Sequence, residues 1–141
     1  MTKILVVDDD ADVQLLMAMV LRDHDITTAS SGAEALALVG VSEYDIVLLD
    51  VKMPEMDGFA TLQRLRDLPA FESICVVMLT GYDSDSHYLR AYEAGADAYL
   101  TKPFHPHQLR ECIAEVTTRS PAARVEVRRR EVEARRHLAD A

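Results

Sequence analysis

The sequence has no tryptophan and is poor in several other residue types whose abundance marks particular classes of protein. Its 141 residues include only 5 glycines and 5 prolines, which excludes collagen-like and low-complexity chains. Apolar runs are short: the run at 74–79 has six residues, whereas a membrane-spanning helix needs about 20. We therefore expect one globular, cytoplasmic domain that does not contact a membrane.

The two cysteines, Cys75 and Cys112, lie far apart in apolar stretches. This placement predicts buried, reduced thiols rather than a disulfide or a zinc site. Charge is distributed unevenly: residues 1–119 contain 9 Lys and Arg against 20 Asp and Glu, a net charge of −11, whereas residues 120–141 carry +2. An acidic body does not bind nucleic acid directly, but it can bind a metal ion.

Hydrophobic patterning predicts five strands that alternate with five helices. Short Val, Ile and Leu runs at 4–7, 46–49 and 74–79 are typical of strands covered on both faces, as in a parallel sheet. Two weaker strands are predicted at 26–29 and 98–100. The (βα)5 order with short connections predicts a doubly wound, flavodoxin-like α/β fold, in which a five-stranded parallel sheet has helices on both faces.

The predicted helices carry apolar residues three and four positions apart, and several have recognisable caps. Asp10 and Asp57 are expected to cap the first and third helices, and a Ser-x-x-Glu capping box begins at Ser31 before the second. The fourth helix is expected to end at Gly95, and the fifth to begin at Pro106.

Acidic and polar residues stand directly after the predicted strands, at Asp8, Asp9, Asp50, Thr80 and Lys102. In a doubly wound sheet these strand ends share one edge, where ligands bind beside the point at which strand order reverses. Carboxylates brought together repel one another unless a cation lies between them. Because Mg²⁺ is commonly held by one or two carboxylates plus a phosphoryl group, this edge predicts a site for Mg²⁺ and a phosphoryl group.

Four motifs extend this pattern: ILVVDDD at 4–10, DIVLLDVKMPEMDGF at 45–59, VVMLTGY at 76–82 and AGADAYLTKPF at 94–104. Together they resemble the receiver domain of two-component response regulators, over about residues 2–118. Each motif is weak by itself, but four in the same order are highly specific. The resemblance implies a phosphoacceptor signalling protein, not an enzyme, which assists its own phosphorylation and dephosphorylation.

The resemblance also implies a role for each residue at the edge. Asp50 would accept a phosphoryl group from a phosphohistidine on a histidine kinase or phosphotransfer protein, with Lys102 and Thr80 contacting the transferred group. The chemistry agrees, because in-line transfer to a carboxylate depends on positioning and on neutralising charge. The implied Mg²⁺ ligands are Asp8, Asp9, Asp50 and the backbone carbonyl of Lys52.

Thr80 and Tyr99 match the switch pair of the family, in which the hydroxyl moves to the phosphoryl oxygen and the ring turns inward. The Lys102–Pro103 bond is expected to be cis, as in the family, and to direct Lys102 into the site. The switch would alter a protein-interaction surface on the fourth helix, fifth strand and fifth helix, where exposed aromatic residues favour an interface. Its expected residues are Tyr88, Tyr92, Tyr99, Phe104 and His105.

Two positions that vary among receivers flank the phosphoryl group, and here they are Lys52 and Tyr82. Hydrolysis needs a water in line with the carboxylate leaving oxygen. A long cation and a bulky ring should crowd that water, and neither is an acid or amide suited to orient it. Slow self-dephosphorylation is therefore expected, unless both side chains point to solvent.

A charged C-terminal helical tail at 120–141 follows the receiver domain at 1–119. Three pairs at the favourable (i, i+4) orientation support a helix, and they are Glu126 with Arg130, Glu131 with Arg135, and Glu133 with His137. Its apolar residues form no sustained heptad. We therefore expect a solvated or frayed helix, with docking on an acidic surface, a second copy or a kinase helix as the alternative.

The expected partners are a histidine kinase or phosphotransfer protein and a downstream protein target, without direct nucleic-acid binding. Cys112 stands where winged-helix relatives carry a dimer-forming arginine, so a monomer or weak homodimer is expected. The alternatives are the N-terminal receiver of a longer DNA-binding regulator, a constitutive interaction module, and a haloacid-dehalogenase-type phosphatase. The last needs an Asp-x-Asp-x-Thr or Asp-x-Asp-x-Val motif, which begins at neither Asp8 nor Asp10.

Overall fold

A computed structural model describes residues 2–71, 74–82 and 84–139, and this part of the chain contains five strands, six α-helices and a short 3-10 turn at Pro69–Phe71. The strands are β1 (Lys3–Val7), β2 (Asp25–Ala29), β3 (Ile46–Asp50), β4 (Cys75–Thr80) and β5 (Ala98–Thr101). The helices are α1 (Ala11–Val20), α2 (Gly32–Val39), α3 (Gly58–Asp67), α4 (Asp85–Glu93), α5 (Pro106–Thr118) and α6 (Pro121–Ala139). All five predicted strands are confirmed to within one residue at each end. Among the described helices, none combines the length and apolarity needed to cross a bilayer.

The strands form one sheet in the order β2-β1-β3-β4-β5, and every neighbouring pair is parallel. This order confirms the doubly wound prediction. The chain moves from β1 outward to β2 and then returns to the other side of β1 to form β3. Strand order therefore reverses between β1 and β3, and the crevice beyond their carboxyl ends is where such folds place ligands.

Apolar layers cover both faces of the sheet. In β1, Leu5 and Val7 belong to one layer, and Ile4 and Val6 belong to the other, as the alternation of side chains along a strand requires. Residues of α2, α3 and α4 complete the first layer, and residues of α1 and α5 complete the second. Burial on both faces explains why the central strands are continuous apolar runs rather than alternating ones.

The predicted N-caps of α1 and α3 are confirmed. Asp10 Oδ1 accepts a hydrogen bond from the Asp12 amide at 2.9 Å, and Asp57 Oδ1 accepts one from the Ala60 amide at 2.8 Å. These bonds satisfy amide groups that the first helical turn leaves without a partner.

The capping box predicted at α2 is only half formed. Ser31 Oγ accepts from the Glu34 amide at 3.1 Å, as predicted. The Glu34 carboxylate, however, accepts from the Ser30 amide at 3.1 Å instead of returning to the Ser31 amide. A complete box forms at α5, where the His105 ring and the Gln108 side chain supply the two acceptors and Pro106 is the first helical residue.

Both cysteines are free, as predicted. Cys75 is buried in β4, and Cys112 of α5 is half-buried. Burial raises the pKa of the Cys112 thiol to about 11. Neither position therefore favours a thiolate at neutral pH.

The start of α3 packs against the end of β3. The Gly58 amide donates to the Val51 carbonyl at 2.9 Å. A Cβ at Gly58 would overlap the carbonyl oxygen of Asp50 and would lie 2.8 Å from the Val51 Cα. Glycine is thus required for a close backbone approach directly behind Asp50.

We expect Gly58→Ala to lower the free energy of unfolding by about 1–3 kcal/mol, because the added methyl group has no space beside β3. Gly81→Ala is the matched control, since a Cβ at Gly81 meets nothing within 4 Å. Urea unfolding of the two variants measures the difference. Equal costs at the two glycines would contradict the close-approach argument.

The C-terminal helix α6 packs along α4, so the expectation of a solvated helix is wrong. Val132 reaches the apolar layer on that face of the sheet, and the Arg124 side chain is buried. Two of the predicted pairs form, Arg130 with Glu126 at 3.3 Å and Arg135 with Glu131 at 3.1 Å, whereas Glu133 accepts from Arg129 at 2.7 Å. The solvated helix was expected because α6 lacks an apolar stripe, whereas its arginines pair with Asp97 and Glu93 of the receiver, in line with the alternative of docking on an acidic surface.

Candidate functional site

Three carboxylates meet at the crevice beyond β1 and β3. One oxygen atom from each of Asp8, Asp9 and Asp50 lies within 4.8 Å of the other two. Asp8 and Asp50 are buried, whereas Asp9 is exposed. The pairing of Val7 with Leu49 explains the meeting, because the next residue of each strand is an aspartate. This geometry could hold a metal ion, in agreement with the sequence prediction.

Hydrogen bonds hold both the backbone and the side chain of Asp8. The Asp8 amide donates to the Ala29 carbonyl at 3.0 Å, and its Oδ1 atom accepts from the Asp10 amide at 2.9 Å. The Gln14 side chain donates to the Asp8 carbonyl at 2.6 Å and to Ala29 at 3.3 Å. Gln14 is a site residue that the motifs do not indicate, and its signal in the sequence is its position one turn into the helix that follows the aspartates.

Lys102 reaches the cluster from the end of β5. Its Nζ atom lies 3.3 Å from Asp8 Oδ2 and 3.6 Å from Asp50 Oδ1. The Lys102–Pro103 bond is cis, as predicted, and the Lys102 amide donates to the Thr80 carbonyl at 2.7 Å. The lysine thus connects the ends of β1, β3, β4 and β5 at one place.

The charges of the cluster are not balanced by its own side chains. Three carboxylates face one ammonium group. Burial raises the pKa of Asp50 above its ordinary value of 3.8, Lys102 opposes this shift, and the Asp8 carboxylate adds to it. An excess of negative charge on hard oxygen ligands is the donor set that a divalent cation such as Mg²⁺ requires.

Thr80 and Tyr99, the predicted switch pair, are linked through the backbone of Tyr82. Thr80 is fully buried, and its Oγ1 atom accepts from the Tyr82 amide at 3.2 Å. The Tyr99 hydroxyl donates to the Tyr82 carbonyl at 2.7 Å. The Tyr99 ring is only 6% exposed and packs against the Tyr88 ring, with centroids 4.2 Å apart. The ring therefore lies inward.

Comparison with known proteins agrees with this site. Residues 4–114 match the family described as the response regulator receiver domain. This chain belongs to that family. The receiver is 39% identical over 136 residues to Response regulator PleD of Caulobacter vibrioides, an alignment that covers 95% of this chain and 30% of PleD. It is 37% identical over 110 residues to Transcriptional regulatory protein ResD of Bacillus subtilis, covering 77% of this chain and 45% of ResD.

A solved structure supports the same assignment. The fold matches that of the chemotaxis protein CheY4 of Vibrio cholerae with a TM-score of 0.79 and 31% identity, over 82% of this chain and 98% of that one. The family match confirms the prediction of a two-component receiver and gives no support to the phosphatase alternative. The chain spans less than half the length of PleD and ResD.

Lys52 and Tyr82 of the receiver contact each other beside the acidic cluster. The Lys52 Nζ atom lies 4.8 Å from the centroid of the Tyr82 ring. On the same ring, His87 stacks at 4.4 Å with an interplanar angle of 4°. These side chains line a cleft of about 520 Å³ that also includes Asp9 and Arg90. They thus form one wall of the approach to the cluster, whereas the Lys52 carbonyl stays a predicted metal ligand.

The expected exposed aromatic surface is partly wrong. Tyr92 and Tyr99 are buried, at 9% and 6% exposure, and Tyr88 lies under Arg135 of α6. Phe104 is half-buried and His105 is exposed. The difference arises because α6, expected in solvent, covers part of the surface that the aromatic residues would present.

Proposed function

We propose that Asp50 is the phosphoacceptor and takes a phosphoryl group from a phosphohistidine on a histidine kinase or phosphotransfer protein. The convergence of Asp8, Asp9, Asp50 and Lys102 at one end of the sheet carries this proposal. The family match supports it, because a receiver is the signalling domain of a response regulator. We expect the phosphotransfer to take place in the cytoplasm, where the phosphohistidine donor would contact the receiver.

In the transfer, a carboxylate oxygen of Asp50 attacks phosphorus and forms an acyl phosphate. The bond from phosphorus to the imidazole nitrogen breaks, and its electron pair stays on the leaving nitrogen. Lys102 lies within 3.6 Å of Asp50 and would pair with the new phosphoryl charge. The Thr80 hydroxyl would turn from the Tyr82 amide to a phosphoryl oxygen, and this turn would start the switch through Tyr99.

Asp8, Asp9 and Asp50 would hold Mg²⁺, with the Lys52 carbonyl as a further ligand. When bound, Mg²⁺ supplies positive charge that offsets the carboxylate and phosphoryl oxygens. The observation that supports this assignment is the three carboxylate oxygen atoms within 4.8 Å of one another, beside which Lys102 pairs with Asp8 and Asp50. Hydrogen bonds to Ala29 and Gln14 hold the backbone of Asp8, one of these three residues, in place.

The site is tested by incubating the protein with Mg²⁺ and a small acyl phosphate donor, followed by intact-mass analysis. We expect one added phosphate that is stable to acid and removed by hydroxylamine. Asp50→Asn should abolish the addition, because the attacking oxygen is lost. Asp10→Asn is the matched control: asparagine caps a helix as well as aspartate does, so phosphorylation should be retained.

Retention of the phosphate in Asp50→Asn would disprove the assignment of Asp50. Loss of phosphorylation in Asp10→Asn would instead place the third aspartate in the site. Omitting Mg²⁺ from the parent reaction should give the same loss as Asp50→Asn.

The output of the receiver is proposed to be contact with a downstream protein, and the chain itself a monomer or weak homodimer. A second possibility is that the receiver acts as the N-terminal part of a longer DNA-binding regulator. The similarity to ResD, a transcriptional regulatory protein of which the alignment covers 45%, supports this possibility. The size of the natural protein, measured by immunoblot of cell extract, distinguishes the two.

A further inference from the structure

A buried carboxylate at the base of β5 joins α6 to the receiver. Asp97 has a fully buried side chain and accepts from the Val76 amide at 2.9 Å. Its Oδ2 atom also lies 3.1 Å from Arg66 and 3.3 Å from Arg124, and its Oδ1 atom lies 2.6 Å from Arg128. Arg66 belongs to α3, whereas Arg124 and Arg128 belong to α6. One carboxylate thus anchors three guanidinium groups.

Asp97 binds one arginine of the receiver and two of the tail. Arg66 already pairs with Asp97 and donates to the carbonyl oxygens of Gly95 at 2.7 Å and Ile74 at 2.6 Å. Arg124 and Arg128 stand four residues apart, on one face of α6. The Asp97 carboxylate therefore forms a binding site for a helix that carries an arginine pair.

Contacts continue from Asp97 along α4. Arg136 pairs with Glu93 at 2.9 Å, and Val132 packs on the apolar layer. The guanidinium carbon of Arg135 lies 4.7 Å from the centroid of the Tyr88 ring, a cation–π distance. Because the start of α6 lies at the C-terminal end of α4 and Arg135 lies over Tyr88, the two helices run antiparallel.

The last of these contacts reaches the switch residue. Tyr88 packs on Tyr99, and the Tyr99 hydroxyl donates to the carbonyl of Tyr82, whose amide donates to Thr80. If the Tyr99 ring swung outward, the Tyr88 ring would have to move, and Arg135 holds that ring in place. Docked α6 and inward Tyr99 therefore belong to the same packing arrangement.

We propose that the face of α4 and the Asp97 corner form a helix-docking surface, that α6 is its intramolecular ligand, and that docking holds Tyr99 inward. The direction of coupling rests on the proposed function, in which a phosphoryl group on Asp50 also favours the inward ring. Docking and phosphorylation then strengthen each other, because coupling between two sites is reciprocal. Only Arg119 and Ser120 separate α5 from α6, so the effective concentration of the tail at this surface is high.

Amide hydrogen exchange tests the docking of α6. The coupling is tested by the binding, in the presence of Mg²⁺, of beryllofluoride, which is an analogue of the phosphoryl group. Arg124→Gln combined with Arg128→Gln should speed exchange in residues 121–138 at least about tenfold, because the Asp97 anchor is lost. The same variant should bind beryllofluoride about fivefold more weakly, which is within the usual range for allosteric coupling. Asp97→Asn is less suitable, since it also removes the partner of Arg66 in the core.

The matched control is Arg129→Gln combined with Arg130→Gln, which removes the same charge from exposed positions that pair within α6. It should leave exchange and beryllofluoride affinity close to those of the parent. Tyr88→Leu should weaken beryllofluoride binding while α6 stays protected, because it interrupts the path from Arg135 to Tyr99.

Unchanged exchange in the Arg124 and Arg128 variant would overturn the docking. Released α6 with unchanged or tighter beryllofluoride binding would overturn the coupling. A parent protein that takes neither beryllofluoride nor phosphate would instead contradict the proposed function and remove the coupling with it. The exchange measurement would then still decide the docking.

Discussion

The combined variant Lys52→Asn and Tyr82→Glu is expected to lose its phosphoryl group about tenfold faster than the parent, a change of about 1.4 kcal/mol in the barrier to hydrolysis. Hydrolysis needs a water on the side of phosphorus opposite the Asp50 oxygen. Shorter polar side chains at these two positions would leave space for that water and could orient it.

The structure strengthens the reason for this expectation. If Lys52 and Tyr82 pointed to solvent independently, neither would affect the water. Instead, the Lys52 ammonium lies 4.8 Å from the Tyr82 ring, and His87 stacks on that ring at 4.4 Å. The contact restrains both side chains on one wall of the cleft that includes Asp9. The effects of the two single changes should therefore not be additive.

The measurement is the decay of phosphorylated protein, followed by intact mass with Mg²⁺ in excess and the donor removed. Arg90→Gln is the matched control, because Arg90 lines the same cleft but makes its own cation–π contact with the Phe59 ring. It should decay at the parent rate. If the combined variant decays no faster than the parent, Lys52 and Tyr82 do not limit access of water.

The fold and the acidic site could be predicted from the sequence because both depend on short-range patterns. Continuous apolar runs predict strands buried on both faces, and residues that follow such strands must share one edge of a parallel sheet. Asp8 and Asp50 come together for this reason alone. Gln14 and Gly58 could not be found in this way, because their importance lies in one hydrogen bond to a backbone and one close approach, neither of which has a periodic signal.

The position of α6 was missed for a different physical reason. Predictions of helix docking depend on apolar periodicity, but α6 contacts the receiver largely through arginines. Arg124 and Arg128 pair with Asp97, Arg135 lies over Tyr88 and Arg136 pairs with Glu93, whereas Val132 packs on the apolar layer. Long arginine side chains can cover apolar surface while their charged ends bind a carboxylate. The available signal was Asp97, an acid directly before β5, because a carboxylate that is buried requires a cationic partner.

Asp50→Asn is expected to raise the free energy of unfolding of the metal-free protein at neutral pH. Burial and the neighbouring Asp8 raise the pKa of Asp50 in the folded protein, and Lys102 only partly offsets them. A carboxyl group with a raised folded-state pKa binds its proton more tightly when folded, so its ionised form costs stability at pH 7. The uncharged asparagine removes this cost and still leaves Lys102 paired with Asp8 at 3.3 Å.

Mg²⁺ should reverse the order of stability, so that the parent becomes more stable than Asp50→Asn. At a concentration 100 times its dissociation constant, a ligand that binds only the folded state stabilises it by about 2.7 kcal/mol. The parent should gain this amount, whereas Asp50→Asn, which lacks one of the three carboxylates, should gain far less. Thermal unfolding of both proteins, with Mg²⁺ and with a chelator, measures the two effects. Asp10→Asn is the control and should respond to Mg²⁺ as the parent does, since Asp10 caps α1. If Mg²⁺ stabilises Asp50→Asn as much as the parent, Asp50 is not a metal ligand. If metal-free Asp50→Asn is less stable than the metal-free parent, the ionised Asp50 carboxylate does not cost stability in the folded protein.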